Sequence, residues 1–260
     1  MIYLKKFETT NQYNAYTADT TNFIKPNVSF IEETHIVDYH PFEDPYKGHE
    51  YVEIGGLKWA TMNVGATGVT DGGLFFQWGD TQGYTASQVG SGEGQKYFGW
   101  SDTKYWTSDT GSGSSGFTKY NTTDGKTVLD ASDDAVQANW GGSWRMPTTA
   151  ELAALGNAID YIDASGNTIS GNNKLTTLSG VLGLYVADKN DHSKRLFFPA
   201  AGYCYDGSVR SVGRLGYCWS SSLVASDVQR AYYFAFASNW VGWQYHDGRF
   251  YGYTVRGVVG

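Results

Sequence analysis

Glycine punctuates this chain at about double its usual share, with 33 glycines in 260 residues set among 20 Tyr, 9 Trp and only 5 Pro. Glycine admits the positive φ of tight turns, and aromatic rings supply large buried area from few residues. The combination predicts many short elements turning around aromatic cores, and disorder would need fewer aromatics. The chain is long enough for one large domain, or one domain with an appendage.

The formal charge is −7 and no run of Lys or Arg stands out, so nucleic acid is not expected as a partner. No apolar stretch approaches the length of a membrane span, and no membrane insertion is expected. The first residues, Met1-Ile-Tyr-Leu-Lys-Lys6-Phe-Glu, lack the apolar region of a secretory signal and any lipid-attachment cysteine. The expectation is synthesis in the cytoplasm without general secretory export. Cys204 and Cys218 stand fourteen positions apart. That spacing is not a zinc pattern, and it leaves buried free thiols or one structural disulfide.

Residues 1–48 read as a separate attachment segment. A short helix is predicted through Asn11–Tyr16, with strands at 27–31 and 35–39, and Pro41–Pro45 as a linker. From residue 49 onward one Gly-punctuated unit is expected. Val52–Ala60 is a hairpin signal with Gly55-Gly56 at its turn, and Leu74–Trp78 an aromatic strand candidate. Residues 87–121 read as long ordered loops. Ser132 is a candidate cap for a helix through Asp133–Asn139, and Thr148-Thr-Ala-Glu151 matches a capping box opening a helix to about Ile159. Strands are predicted at Leu184–Val186, Arg195–Phe198, Ala231–Ala237 and Tyr253–Val258. In the third of these, Tyr232, Phe234 and Phe236 share one face. The class is α+β, with two helices, many short strands and long loops.

From Asp227 through Tyr253 lie ten aromatic residues, and no Lys or Glu follows Lys194. Interfaces enrich aromatics and Arg and deplete Lys and Glu, and paratopes combine Tyr and Trp with Ser, Gly and Asn. The same composition also describes an aromatic β core with glycine turns. The five histidines show no ligand spacing, and no nucleophile motif or phosphate loop appears. Asp124, Asp130, Asp133 and Asp134 could hold calcium, or could serve as ordinary helix-start acids. No catalytic residue and no cofactor is expected.

Trp140-Gly-Gly-Ser-Trp144-Arg-Met-Pro147-Thr-Thr-Ala-Glu151 carries a resemblance, together with Leu57–Gly65 and Phe76-Gln-Trp-Gly79. Phe198-Pro-Ala-Ala-Gly202, Trp219-Ser-Ser-Ser222 and Gly252-Tyr-Thr-Val-Arg256 extend it. In this order the motifs resemble the C-type-lectin-like superfamily, which includes formylglycine-generating enzymes. The resemblance covers about residues 50–260 and implies a C-type lectin fold, loop-rich, with its first and last strands close together. The enzymes use a closely spaced Cys pair, which Cys204 and Cys218 do not form, so catalysis is not carried over.

More closely still, the chain resembles the variable proteins of diversity-generating retroelements, such as phage major tropism determinants. Their C-terminal variable region, here about 219–256, is diversified at adenines, commonly in Asn codons. The resemblance implies ligand-binding positions at Asp227, Val228, Arg230, Ser238, Asn239, Gly242, Tyr245, His246, Asp247, Arg249, Phe250 and Tyr251. Trp240 and Gln244 share the stretch and fit Asn-codon mutation less directly. Tyr232, Phe234, Phe236, Trp243, Tyr253 and Val255 would form the fixed scaffold. The N-terminal segment, with Leu4-Lys-Lys-Phe7, Tyr13-Asn-Ala-Tyr16 and Pro26-Asn-Val-Ser29, resembles attachment segments of phage tail-associated proteins.

The implied function is receptor or ligand binding in phage host recognition. The partners would be a bacterial surface protein or glycan, and other virion tail proteins through the N-terminal segment. The phage relatives imply a homotrimer, although that segment shows no heptad pattern. A fixed-specificity carbohydrate-binding adhesin of the bacterial surface is the alternative.

Overall fold

A computed structural model describes residues 44–107 and 116–260. The chain divides into units 1–43 and 44–260. The N-terminal helix and strands expected above lie outside the described residues.

Asp44 opens the second unit by accepting hydrogen bonds from the backbone N–H groups of Tyr46 and Gly48. The expected linker end is part of the domain. The carbonyl of Pro45 accepts from Ser143 N, that of Tyr46 accepts from Trp144 Nε1, and His49 stacks on Trp140 at 4.0 Å. The boundary therefore falls before Asp44, because the Trp140–Trp144 turn needs these partners.

The unit begins with β1 (Tyr51–Ile54) and β2 (Leu57–Asn63), joined by Gly55 and Gly56 at φ +61° and +81°. Two consecutive positive φ angles make the hairpin turn that the Gly pair predicted. Long irregular loops follow. Leu74–Trp78 forms no regular strand, since its hydrogen-bond partner changes at almost every residue. Phe75 pairs with Tyr84, Phe76 with Tyr253, and Trp78 N donates to Arg249 O.

Helix α1 (Ala135–Trp140) is capped by Asp134 rather than Ser132. Residues Ala131–Asp133 form a 3₁₀ turn, and the Asp134 carboxylate accepts from Val136, Gln137 and Met146 N–H groups. Helix α2 (Thr149–Ala158) starts at the expected Thr148–Glu151 capping box. Strands β3 (Ile159–Tyr161), β4 (Leu175–Leu178), β5 (Val181–Asp188) and β6 (Asp191–Pro199) form an antiparallel sheet around β5. A hairpin of β7 (Tyr203–Tyr205) and β8 (Ser208–Arg210) precedes β9 (Gly216–Leu223), β10 (Arg230–Ala237) and β11 (Trp240–Gly248). The chain closes with β12 (Arg256–Val259), shorter at its start than expected. It pairs with β2, so the first and last strands of the unit share a sheet. The fold is α+β.

The β9–β11 sheet separates two cores. One face of β10 places Ala231, Tyr233 and Ala235 with Trp78, Trp219 and Tyr253. The other sends Phe234 and Phe236 against Leu152 and Leu155 of α2. Each such large apolar side chain, once buried, contributes roughly 1.5–3 kcal/mol. A strand buried on both faces makes a rigid backing for its neighbour.

Arg256 ties the closing strand to two sheets. Its fully buried guanidinium donates to Asn63 Oδ1 at 2.8 Å and to the Ala60 and Phe197 carbonyls, each at 2.9 Å. It also lies 4.6 Å from the Phe198 ring centre. An ammonium cannot span three acceptors in this planar arrangement. Arg256→Lys is therefore expected to cost at least about 2 kcal/mol, read as a lowered urea midpoint with an unchanged slope.

Candidate functional site

Strand β11 lies at the edge of its sheet, and its register with β10 slips once. Tyr233 faces Tyr245, but Ala235 faces Gly242, so Trp243 and Gln244 together oppose Phe234. A two-against-one bulge inverts side-chain alternation beyond it. Trp240 and Gly242 before the bulge therefore share a face with Tyr245 and Asp247 after it. In an unbroken strand Trp240 and Tyr245, five positions apart, would point to opposite faces. Here their rings meet edge to face at 5.4 Å. Gly242 makes room, since a Cβ there would fall 1.9 Å from Tyr245 Cε2. Trp243 takes the other face and stacks on Phe234 at 4.1 Å.

From this hairpin a continuous band of rings runs across the domain. Tyr245 neighbours Tyr233 at 6.1 Å, and Tyr233 neighbours Tyr217 at 5.7 Å. The band continues through Tyr203, 5.2 Å from Tyr217, to Tyr251 at 6.0 Å. Tyr251 touches Tyr205 and Phe250 at 5.1 and 4.4 Å. Phe250 meets Trp100 at 4.5 Å, and Trp100 meets Trp106 at 5.0 Å. Beneath lies buried Tyr253, within 6.5 Å of Tyr203, Tyr217, Trp219, Tyr233 and Tyr251. Tyr245 is 45% exposed, and most of the other rings are half-buried.

Asp247 stands on this face opposite Ala231. Its carboxylate accepts the Gly248 N–H at 2.8 Å and has no cationic partner among the described residues. By contrast Asp227 pairs with Arg230 at 3.2 Å and Asp206 with Arg210 at 3.8 Å. Burial pushes the Tyr217 hydroxyl up to about 12, with Tyr203 and the charge of Asp247 adding to it. Burial raises Tyr233 and Tyr251 as well, and the Asp247 charge is the next cause in both.

The expected binding positions thus divide. Trp240, Gly242, Tyr245, Asp247, Phe250 and Tyr251 belong to the aromatic face. Ser238 and Asn239 are exposed at the β10–β11 turn, Gln244 is exposed in the bulge, and Asp227 and Arg230 sit as a pair at the opposite end of the hairpin. His246 turns to the other face and meets Tyr232 edge-on at 5.8 Å.

Two positions are corrected outright. Val228 is 5% exposed and packs in the aromatic core. Arg249 is fully buried, donating to the Tyr120 and Val228 carbonyls, each at 3.1 Å, with its guanidinium 3.9 Å from the centre of Phe117. Burial pushes it down to about 9. Codon exchangeability says nothing about direction, and the chain turns inward after Gly248. The aromatics Tyr203, Tyr205, Tyr217, Trp100 and Trp106, which complete this face, were missed. The alternation in Gly202-Tyr-Cys-Tyr-Asp-Gly207 was the available signal, a period of two flanked by glycines.

The Asp cluster is occupied by the protein itself. Asp133 accepts from Lys104, Lys119, Tyr105 and Tyr120. Asp130 pairs with Lys119 and Lys126, while Asp124 accepts the Tyr120 and Asn121 N–H groups. No metal-binding group of three His, Cys, Asp or Glu occurs among the described residues. Cys204 and Cys218 are buried free thiols, and burial pushes Cys218 up to about 11. A groove of about 530 Å³ lies apart from the aromatic face, between Leu74, Leu182, Ala201 and Val212. Its carboxylate, Asp71, is held by the N–H groups of Thr67 and Gly73. The chain matches no family model, no curated protein and no solved structure.

Burial would raise the Asp133 carboxyl, but the hydrogen bonds from Lys104, Lys119, Tyr105 and Tyr120 outweigh it and hold it well below the usual carboxylate range. A depressed folded-state pKa stabilises above the unfolded value and is lost on acidification. Thermal stability is therefore expected to fall between about pH 5 and pH 2. Asp133→Asn should flatten that dependence and cost at least about 2 kcal/mol at neutral pH, measured by melts across the range.

Proposed function

We propose that this chain is a receptor-binding protein, a C-type lectin-fold scaffold displaying a diversified C-terminal surface, and that it serves phage host recognition from a tail. The observation that carries this reading is the arrangement of β10 and β11. A strand buried on both faces backs an edge strand whose exposed residues, Gln244, Tyr245 and His246, all lie among the expected binding positions. Substitutions on β11 can change the surface while the core beneath stays intact. Pairing of β12 with β2, two short helices and long loops support the lectin-like scaffold. The face offers aromatic area and hydroxyl groups rather than a nucleophile beside a base, which supports binding over catalysis.

The fixed rings of Tyr203, Tyr205 and Trp100 favour a second reading, a carbohydrate-binding adhesin of fixed specificity on the bacterial surface. Sequencing the DNA that flanks the gene separates the two. A near-copy of the segment for residues 219–256, differing at adenines and beside a reverse transcriptase, is the expected result. Its absence would leave the fixed adhesin.

Adsorption of the labelled chain to host cells gives a second test. Trp240→Ala and Tyr245→Ala should each weaken it by at least about tenfold, the equivalent of one good hot spot, and Tyr245→Ala, at the more exposed position, should move Tm by no more than about 2 °C. Arg249→Ala should instead destabilise the fold by about 3 kcal/mol, through orphaned carbonyls and a cavity.

A further inference from the structure

Asp247 is the carboxylate of the aromatic face that has no partner of opposite charge among the described residues. Lys and Arg residues elsewhere are drawn to carboxylates or to backbone carbonyls, as in the Lys104–Lys119–Asp133 cluster and at Arg256. Asp247 has only the N–H of its neighbour. Across the strand, Ala231 contributes no more than a methyl group, so space beside the carboxylate is not filled from the facing position. Tyr233 and Tyr245 stand two positions along on the same face, and Tyr217 and Tyr251 lie within reach of the Asp247 charge. The hydroxyls of Tyr203, Tyr217, Tyr233, Tyr245 and Tyr251 have no hydrogen-bond partner among the described residues, and none is sealed from solvent. Arg210 lies over the Tyr205 ring at 5.2 Å and pairs with Asp206. The face is therefore net negative, rich in ring faces and supplied with free hydroxyl groups.

This combination suits a planar cation. A guanidinium stacks on aromatic rings, donates in a fork to a carboxylate, and gives up its hydration more readily than an ammonium. The ring contact, though not the carboxylate, is already used inside the molecule, where Arg249 and Arg256 lie over Phe117 and Phe198. Resting on the reading of this face as a ligand surface, we propose that it takes an arginine side chain presented by a protein ligand. The guanidinium would lie against the Asp247 carboxylate, among the rings of Tyr217, Tyr233 and Tyr251. The rings that continue to Trp240 on one side and Trp106 on the other exceed what one guanidinium covers. They fit the flanking residues of a protein segment rather than a free small cation.

The test titrates N-acetyl-arginine N-methylamide into the full chain, followed by ligand-observed NMR, against the citrulline amide, its neutral isostere. The arginine amide should bind roughly tenfold tighter, as a charge-assisted pair requires. Asp247→Asn keeps the acceptor for the Gly248 N–H and should abolish that preference without moving Tm. Placing the arginine in an alanine peptide should tighten binding further if a protein segment is the occupant, and leave it unchanged if a free cation is. The second result would overturn the protein source. Equal binding of the two amides, no binding of either, or an undiminished preference in Asp247→Asn would overturn the site. None of these outcomes touches the flanking-DNA test, so a diversified surface of different chemistry would remain distinguishable.

Discussion

The short segment that carries Phe250 and Tyr251 is pinned at both ends by a buried guanidinium, and the candidate surface depends on that constraint. Arg249 reaches inward to the carbonyls of Tyr120 and Val228, and Arg256 to Asn63, Ala60 and Phe197. Neither has a carboxylate partner among the described residues. Desolvating a cation costs several kcal/mol, which is why burial lowers both groups, to about 9 and about 10. Backbone acceptors and ring faces offset that cost only in this geometry. The Arg249 Nε is left without a partner, so the balance there is finer than at Arg256. Between the two anchors Gly252 pairs with Cys204 so closely that a Cβ would meet the Phe98 ring at 2.4 Å.

A second constraint acts on β11. Its bulge brings Trp240 and Tyr245 to one face and sends Trp243 to the other, where it stacks on Phe234 and anchors the strand. Display and anchorage therefore alternate along one edge strand without a change of backbone partner. Edge strands are prone to unwanted pairing, and bulges are one device that limits it. In this molecule the bulge also composes the surface, which joins the fold's local irregularity to the proposed binding role.

Much of the fold was legible locally. The Gly55-Gly56 turn and the Thr148–Glu151 capping box are decided by a few adjacent residues, and both form as read. The apolar alternation of Phe234 and Phe236 likewise located β10. Ser132 misled because the competing residue, Asp134, gains a third donor from Met146, twelve positions away in the chain. Leu74–Trp78 misled for the same kind of reason: its aromatic pattern is real, but its partners come singly from distant segments.

For the candidate site the division is sharper. Sequence alone determined that the C-terminal stretch would be aromatic, poor in Lys and Glu, and set among glycines, because those are properties of composition and spacing. Its period of two also placed Phe234 and Phe236 on one face of β10. Only the tertiary structure decided that Val228 and Arg249 face inward, that His246 lies on the opposite face from Tyr245, and that Tyr203, Tyr205, Tyr217 and Trp100 complete the band. Direction depends on where the register slips and on which distant carbonyls need a donor. Those are facts of packing between segments far apart in the chain, and no local pattern encodes them.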